Sequence, residues 1–169
     1  MSSLPQQIVL DTLDFALLNH LQNDASESNQ ALARRVHISA PTCLRRIKRL
    51  KEAGLIERQI AVLDPDRVAS HVGHGLTAIA EITLDRQDQQ ALEAFEQRVA
   101  PDAAVQQCYR VSPGPDFVLV VYAADMPAYM GLAQRLFTSD ANVRNVKTFF
   151  SIKRTKFEPR MQLSRSRQD

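Results

Sequence analysis

Apolar positions recur with two different periods along this chain, and the change from one to the other divides it. Between Leu10 and Gln22, Leu13, Leu17, Leu18 and Leu21 fall on one helical stripe, with Asp11 and Asp14 near the end where a helix dipole favours acids. After the polar stretch Asn23 to Ser28, Leu32, Ala33 and Val36 mark one face of a shorter helix. Ile38 and Ser39 make a brief break in which Ser39 is a good N-cap. Cys43, Leu44, Ile47 and Leu50 then recur at helical spacing as far as Ala53-Gly54, a glycine stop. Two helices across so short a turn predict a helix-turn-helix. Leu55 to Leu63 is rich in β-formers and precedes the turn Asp64-Pro65, which predicts a wing or short strand closing the unit.

Residues 65–75 read as a linker, and beyond them the period changes. Leu76, Ala78, Ala80, Ile82 and Leu84 alternate as in a strand. Asp88 to Val99 carries Leu92, Phe95 and Val99 at helical spacing, and Val105 to Val111 reads as a second strand. The turn Ser112 to Asp116 leads into a third strand, FVLVVYAA. Met126 to Phe137 predicts a helix with Tyr129, Ala133 and Leu136 inward, and Val143 to Arg154 a fourth strand. The fold class expected is therefore α+β: an N-terminal winged helix-turn-helix followed by a ferredoxin-like βαββαβ domain. In the third strand Phe117, Leu119 and Val121 face one way and Val118, Val120 and Tyr122 the other, so both faces call for burial. Two helices cover one face; a second subunit packed sheet on sheet is the simplest cover for the other.

Composition adds little until the charges are placed. The 169 residues are 44% hydrophobic and 24% charged, an ordinary globular make-up, with a net charge of +2. Residues 1–64 carry 8 Lys/Arg against 7 Asp/Glu, residues 65–152 carry 7 against 10, and residues 153–169 carry 6 against 2. The cationic charge is thus local, and its densest stretch is Arg45, Arg46, Lys48, Arg49 and Lys51 on the second helix of the helix-turn-helix. A helix held by an apolar back and offering cations outward, behind a shorter helix and a Ser cap, suits the major groove of double-stranded DNA. Ser39 and Thr42 would lie nearest base edges at its N-terminus, with Arg45, Arg46, Lys48 and Arg49 supplying phosphate contacts and guanine recognition.

Other chemistry is sparse. Cys43 and Cys108 make neither a disulfide framework nor a metal motif and read as buried thiols. His20, His37, His71 and His74 lack metal-ligand spacing, and no nucleophile–base pairing is suggested, so no catalytic residue, metal site or cofactor is expected. No apolar run reaches the roughly 18 residues of a membrane span, and the first residues lack a signal-peptide layout. A cytoplasmic, nucleoid-associated location is expected.

From Leu10 to about Lys156 the chain resembles the Lrp/AsnC, or feast/famine, family of transcriptional regulators. LDTLDFALLNHLQ is similar to the family's opening helix, and SNQALARRVHIS followed by CLRRIKRLKEAGLIER to its helix-turn-helix. AEITL, SPGPDF and DMPAY resemble the first strand, the strand-turn-strand and the second helix of its effector domain. The resemblance implies a DNA-binding regulator, dimeric through its sheet and often an octamer of four dimers. It further implies an effector, an amino acid or related metabolite, bound between dimers near the turn of the second and third strands. Ser112 and Asp116 would orient a ligand amine, Gly114 would allow close approach of backbone, and Met126 and Thr148 would line the side-chain end. The family's glycine directly after Ser or Thr in that turn is here Pro113, which lacks an N–H for a carboxylate.

The expected domains are 1–64, a winged helix-turn-helix; 65–75, a linker; 76–157, the βαββαβ domain; and 158–169, a basic flexible tail. Two alternative functions carry their own discriminants. A sirohaem decarboxylase of the same architecture would bind tetrapyrrole, and an architectural protein would bind its own promoter and random DNA alike.

Overall fold

The computed structural model describes residues 8–163. It divides into two compact units: the chain up to Val62 joined by the segment from Phe157 onward, and Leu63–Lys156.

The first unit holds three helices, α1 (Thr12–Asn23), α2 (Asn29–Arg35) and α3 (Ala40–Glu52). Each begins at a side-chain cap that satisfies a backbone N–H the helix leaves unpaired. Asp11 and Asp14 exchange backbone and side-chain hydrogen bonds in a capping box, Ser28 caps α2, and Ser39 caps α3. Between α2 and α3 the chain reverses through His37, whose φ is +56°. α3 ends at Gly54, φ +73°, with Leu55 N–H donating to the Leu50 carbonyl at 3.0 Å, a glycine termination as expected. Leu17, Leu32, Ala33, Val36, Cys43, Ile47 and Leu50 form the core.

Three expectations change in and around this unit. Residues 55–63 are not a strand; they join no sheet and are largely exposed, since an isolated extended segment has no neighbouring strand to pair with. The expected linker contains a helix, α4 (Pro65–Val72), because Asp64-Pro65 is a helix start rather than a plain turn: Asp64 accepts from the N–H groups of Asp66 and Arg67, and Pro65 sits where no donor is needed. The expected flexible tail is partly tied down. Gln22 pairs with both backbone groups of Met161 at 2.7 and 3.0 Å, and Asn19 Nδ2 donates to the Leu163 carbonyl at 3.2 Å. Residues 164–169 of that tail lie outside the described residues.

The second unit adds β1 (Leu76–Leu84), α5 (Gln89–Val99), β2 (Val105–Arg110), β3 (Phe117–Ala123), α6 (Met126–Ala133) and β4 (Val143–Phe150) to α4. α6 loosens into a π-helical turn over Gln134–Thr138, and β4 stops four residues short of the expected Arg154. The antiparallel sheet has the order β2-β3-β1-β4. Its buried face carries Ala78, Ala80, Ile82, Leu84, Phe117, Leu119 and Val121 against Phe95, Val99, Tyr129, Leu132 and Phe137 from the helices. Ile79, Val118, Val120 and Tyr122 alternate with these residues and point the other way, and none of them is fully buried.

Candidate functional site

Burial on α3 rotates its outward face from the one read in sequence. Cys43, Ile47 and Leu50 are buried, whereas Leu44, expected among them, is 55% exposed. At about 100° per residue, Pro41, Leu44, Arg45 and Lys48 then fall within an outward arc of about 100°. Arg45 has no ion pair among the described residues, and Lys48 has only an exposed Glu52 at 3.7 Å, an i,i+4 contact of little energetic weight. Ser39 Oγ accepts the Thr42 N–H and lies 2.8 Å from Thr42 Oγ1, so both hydroxyls belong first to the helix cap.

Arg46 and Arg49 do not join that face freely. Arg46 bridges Asp11 Oδ2 and Asp14 Oδ1, each at 2.8 Å, and Arg49 donates to Asp14 Oδ2 at 2.5 Å. Asp14 is 0% exposed, while the side chains of Arg46 and Arg49 are 21% and 45% exposed. A carboxylate removed from water requires compensating donors, and here the Asp11 N–H supplies one and the two arginines of α3 supply the charged ones, so the ion pairs fix α3 on α1. The Asp14 backbone N–H, and secondarily Arg46, hold the Asp11 carboxyl below the usual carboxylate range. Burial pushes the Cys43 thiol up, consistent with a packing role. In sequence, Asp11 and Asp14 suggest only a helix-dipole role; the signal for the clamp is the coincidence of two acids on α1 with two arginines three apart on α3.

The expected effector residues are placed separately. Gly114 has φ +124°, a conformation that needs glycine, in an exposed turn with Ser112. Asp116 closes the sheet: its Oδ2 accepts the Leu84 N–H at 2.7 Å and Gln87 Nε2 at 3.3 Å, while its N–H donates to the Ile82 carbonyl. Through Oδ2 that carboxylate holds β1 to the turn. Met126, 45% exposed, starts α6 at the opposite end of β3 from the turn. Thr148 Oγ1 pairs at 2.6 Å with the hydroxyl of Tyr129, whose ring meets Phe150 edge to face at 5.0 Å. Seven residues of strand separate the two ends of β3, a span of roughly 20 Å. Within one chain the expected effector residues therefore fall into two groups, Ser112 and Gly114 at one end of β3 and Met126 and Thr148 on α6 and β4, with Thr148 bonded to Tyr129 of α6. Tyr129, which the helical stripe marks only as a core residue, joins the second of these through its hydroxyl.

Two family models match the chain in order. Residues 10–57 match the family model for winged helix-turn-helix DNA-binding, and residues 77–161 match that of the Lrp/AsnC ligand binding domain. The chain is 35% identical over 150 residues to a leucine-responsive regulatory protein of Rhizobium meliloti, covering 89% of this chain and 94% of that protein. An AsnC family transcriptional regulator from Agrobacterium tumefaciens superposes with a TM-score of 0.78 at 29% identity, over 90% of this chain and 97% of that one. A Neisseria meningitidis transcriptional regulator solved as its L-Met complex superposes at 0.77 and 28% identity, over 91% and 97%. With both units matched in order and the relatives named as regulators, the chain belongs to the Lrp/AsnC family of DNA-binding transcriptional regulators.

Proposed function

We propose that this regulator binds promoter DNA through the outward face of α3 as a homodimer, and that an amino acid or related metabolite modulates it. The observation that carries the DNA assignment is the capped, cationic α3 anchored to α1 by Asp14, with Arg45 and Lys48 outward. Arg45 and Lys48 supply the principal phosphate and base contacts, Ser39 and Thr42 approach the bases, and Arg49 contributes from its half-exposed position. Arg46 serves mainly to hold the helix. A cytoplasmic, nucleoid-associated location accompanies this reading.

The dimer rests on the helix-free sheet face, where Ile79, Tyr109, Tyr122 and Phe149 are all more than a third exposed. So much aromatic and aliphatic surface on one sheet favours a self-complementary partner, and a second copy supplies the matching face. Four such dimers would make an octamer. The separation of the two groups of expected effector residues supports binding between subunits, where Ser112 and Gly114 of one chain can meet Met126, Tyr129 and Thr148 of another. The L-Met complex of the Neisseria meningitidis relative supports an amino acid as the effector class.

A thermal-shift screen of amino acids tests the effector. A ligand that binds only the folded state, at 100 times its dissociation constant, stabilises by about 2.7 kcal/mol. A hit whose shift survives Met126→Ala and Thr148→Val would move the pocket elsewhere. Binding to sites selected from random sequence, compared with unselected DNA at one salt concentration, separates a regulator from an architectural protein. The matched relatives are named regulators, and no observation supports tetrapyrrole decarboxylation.

A further inference from the structure

We infer that Leu44 is a specificity-determining residue, one that reads the C5-methyl of thymine in the major groove. This rests on α3 being the DNA-contacting helix.

Three observations converge on it. The first is exposure: Leu44 is 55% exposed although its helix neighbours Cys43 and Ile47 are buried. The second is placement: Leu44 lies in the N-terminal half of a 13-residue helix capped by Ser39, the part of a recognition helix that contacts base edges. The third is surroundings: Pro41 precedes it by three residues, so the two form an apolar strip one turn long, while Arg45 and Lys48 flank that strip. The cations draw the strip towards phosphate and seat it at groove depth.

The withdrawal of Arg46 and Arg49 towards Asp14 sharpens the inference. With two of the four cations expected to contact DNA tied to α1, the outward arc holds as many apolar side chains as cationic ones. A leucine has no donor or acceptor with which to distinguish purine edges. The one apolar feature the major groove offers is the thymine methyl, so thymine is the base it can recognise.

The test uses full-length protein and duplex sites selected from a random-sequence library, with every thymine of a selected site replaced singly by deoxyuridine. That exchange deletes the methyl and leaves the hydrogen-bonding pattern unchanged. At one or two positions per half-site the replacement should weaken the wild-type protein about fourfold, the effect of removing one buried methyl-sized group. Leu44→Ala should bind the thymine site more weakly and show no further loss at those same positions. Leu44→Met, which keeps an apolar side chain there, should retain the dependence. Melting temperatures of both variants close to wild type would show that the loss is not unfolding, as expected for a half-exposed position. Deoxyuridine costs that are identical in wild type and Leu44→Ala at every position would overturn the assignment. A wild-type protein that enriches no sequence at all would instead overturn sequence-specific binding through α3.

Discussion

Replacing the adjacent Arg45 and Arg46 one at a time separates charge that faces outward from charge that holds the unit together. Arg46→Ala leaves the 0% exposed Asp14 carboxylate with Arg49 and the Asp11 N–H as its remaining donors. Breaking a buried ion pair costs about 3–5 kcal/mol when the surviving charge is stranded. Because Arg49 still reaches Asp14 at 2.5 Å, the expected loss is smaller, about 2–3 kcal/mol. For a unit of this size each kcal/mol lowers the melting temperature by about 4–8 °C, so a fall of roughly 10–20 °C is expected. Arg45→Ala removes an exposed cation and should change stability by no more than about 0.5 kcal/mol. It should instead flatten the log–log dependence of DNA affinity on salt by about 0.9 for each phosphate left without its cation. Calorimetric melting of the full-length protein and anisotropy titrations at several salt concentrations measure both quantities. If Arg46→Ala leaves the melting transition in place and flattens the salt slope as Arg45→Ala does, Arg46 faces DNA and the assignment of the outward face is wrong.

The same geometry sets three further outcomes. Val121 is fully buried and Val120 lies on the helix-free face, so Val121→Glu should unfold the second unit while Val120→Glu gives a folded, smaller species; light scattering with circular dichroism reads both. A Cβ on Gly75 would stand 2.1 Å from the Tyr122 hydroxyl; Gly75→Ala should displace that ring and weaken self-association by about 1–3 kcal/mol while the chain stays folded, as sedimentation at several concentrations can show. Asp11, held low by the Asp14 N–H, and Asp102, held low by Arg135, have folded-state values below the ordinary 3.8. Their contribution to stability is present above that value and lost as pH falls through the lowered one, so melting temperature should drop below about pH 4, and a decline from these groups between pH 5 and 8 would contradict the assignment.

The order of helices and strands was legible because each core-facing stripe repeats with its own period, and caps such as Ser39 and Gly54 mark boundaries locally. What sequence could not supply was the identity of partners far along the chain. Asp14 at a helix start is compatible with a solvated dipole partner and with a buried acceptor; only the position of Arg46, 32 residues later, decides. Leu44 satisfies the helical period as well as Ile47 does, yet α1 and α2 cover less than the full apolar stripe of α3, and Leu44 falls outside. Asp64-Pro65 is the same dipeptide whether it opens a turn or caps a helix, and the helix-compatible residues from Asp66 to Val72 decide for the cap. Asp116 carries the charge expected of a ligand partner, and nothing local to it in the chain signals that its Oδ2 also accepts the Leu84 N–H, 32 residues earlier.

The clamp between α1 and α3 also bears on how this regulator discriminates among sequences. Phosphate contacts strengthen binding to every duplex, whereas contacts to base edges strengthen binding to one. Five cations between Arg45 and Lys51 would favour the first kind of contact strongly if all were free. The structure directs Arg46 and Arg49 to Asp14 and Lys51 Nζ to Gln59 Oε1 at 3.0 Å, so Arg45 and Lys48 are left as the cations of the outward arc. Releasing the clamp with Asp14→Asn should therefore raise affinity for random DNA and steepen its salt dependence, by up to about 1.8 in log–log slope if both arginines reach phosphate. Affinity for a selected site should rise less, because its base contacts depend on α3 remaining at the angle that Asp14 sets. The ratio of the two affinities, which governs how well a site competes with the rest of a genome, should then fall. Titrations of the same variant on selected and random duplexes at one salt concentration measure that ratio directly. An unchanged ratio would mean that the buried carboxylate stabilises the unit without contributing to sequence discrimination.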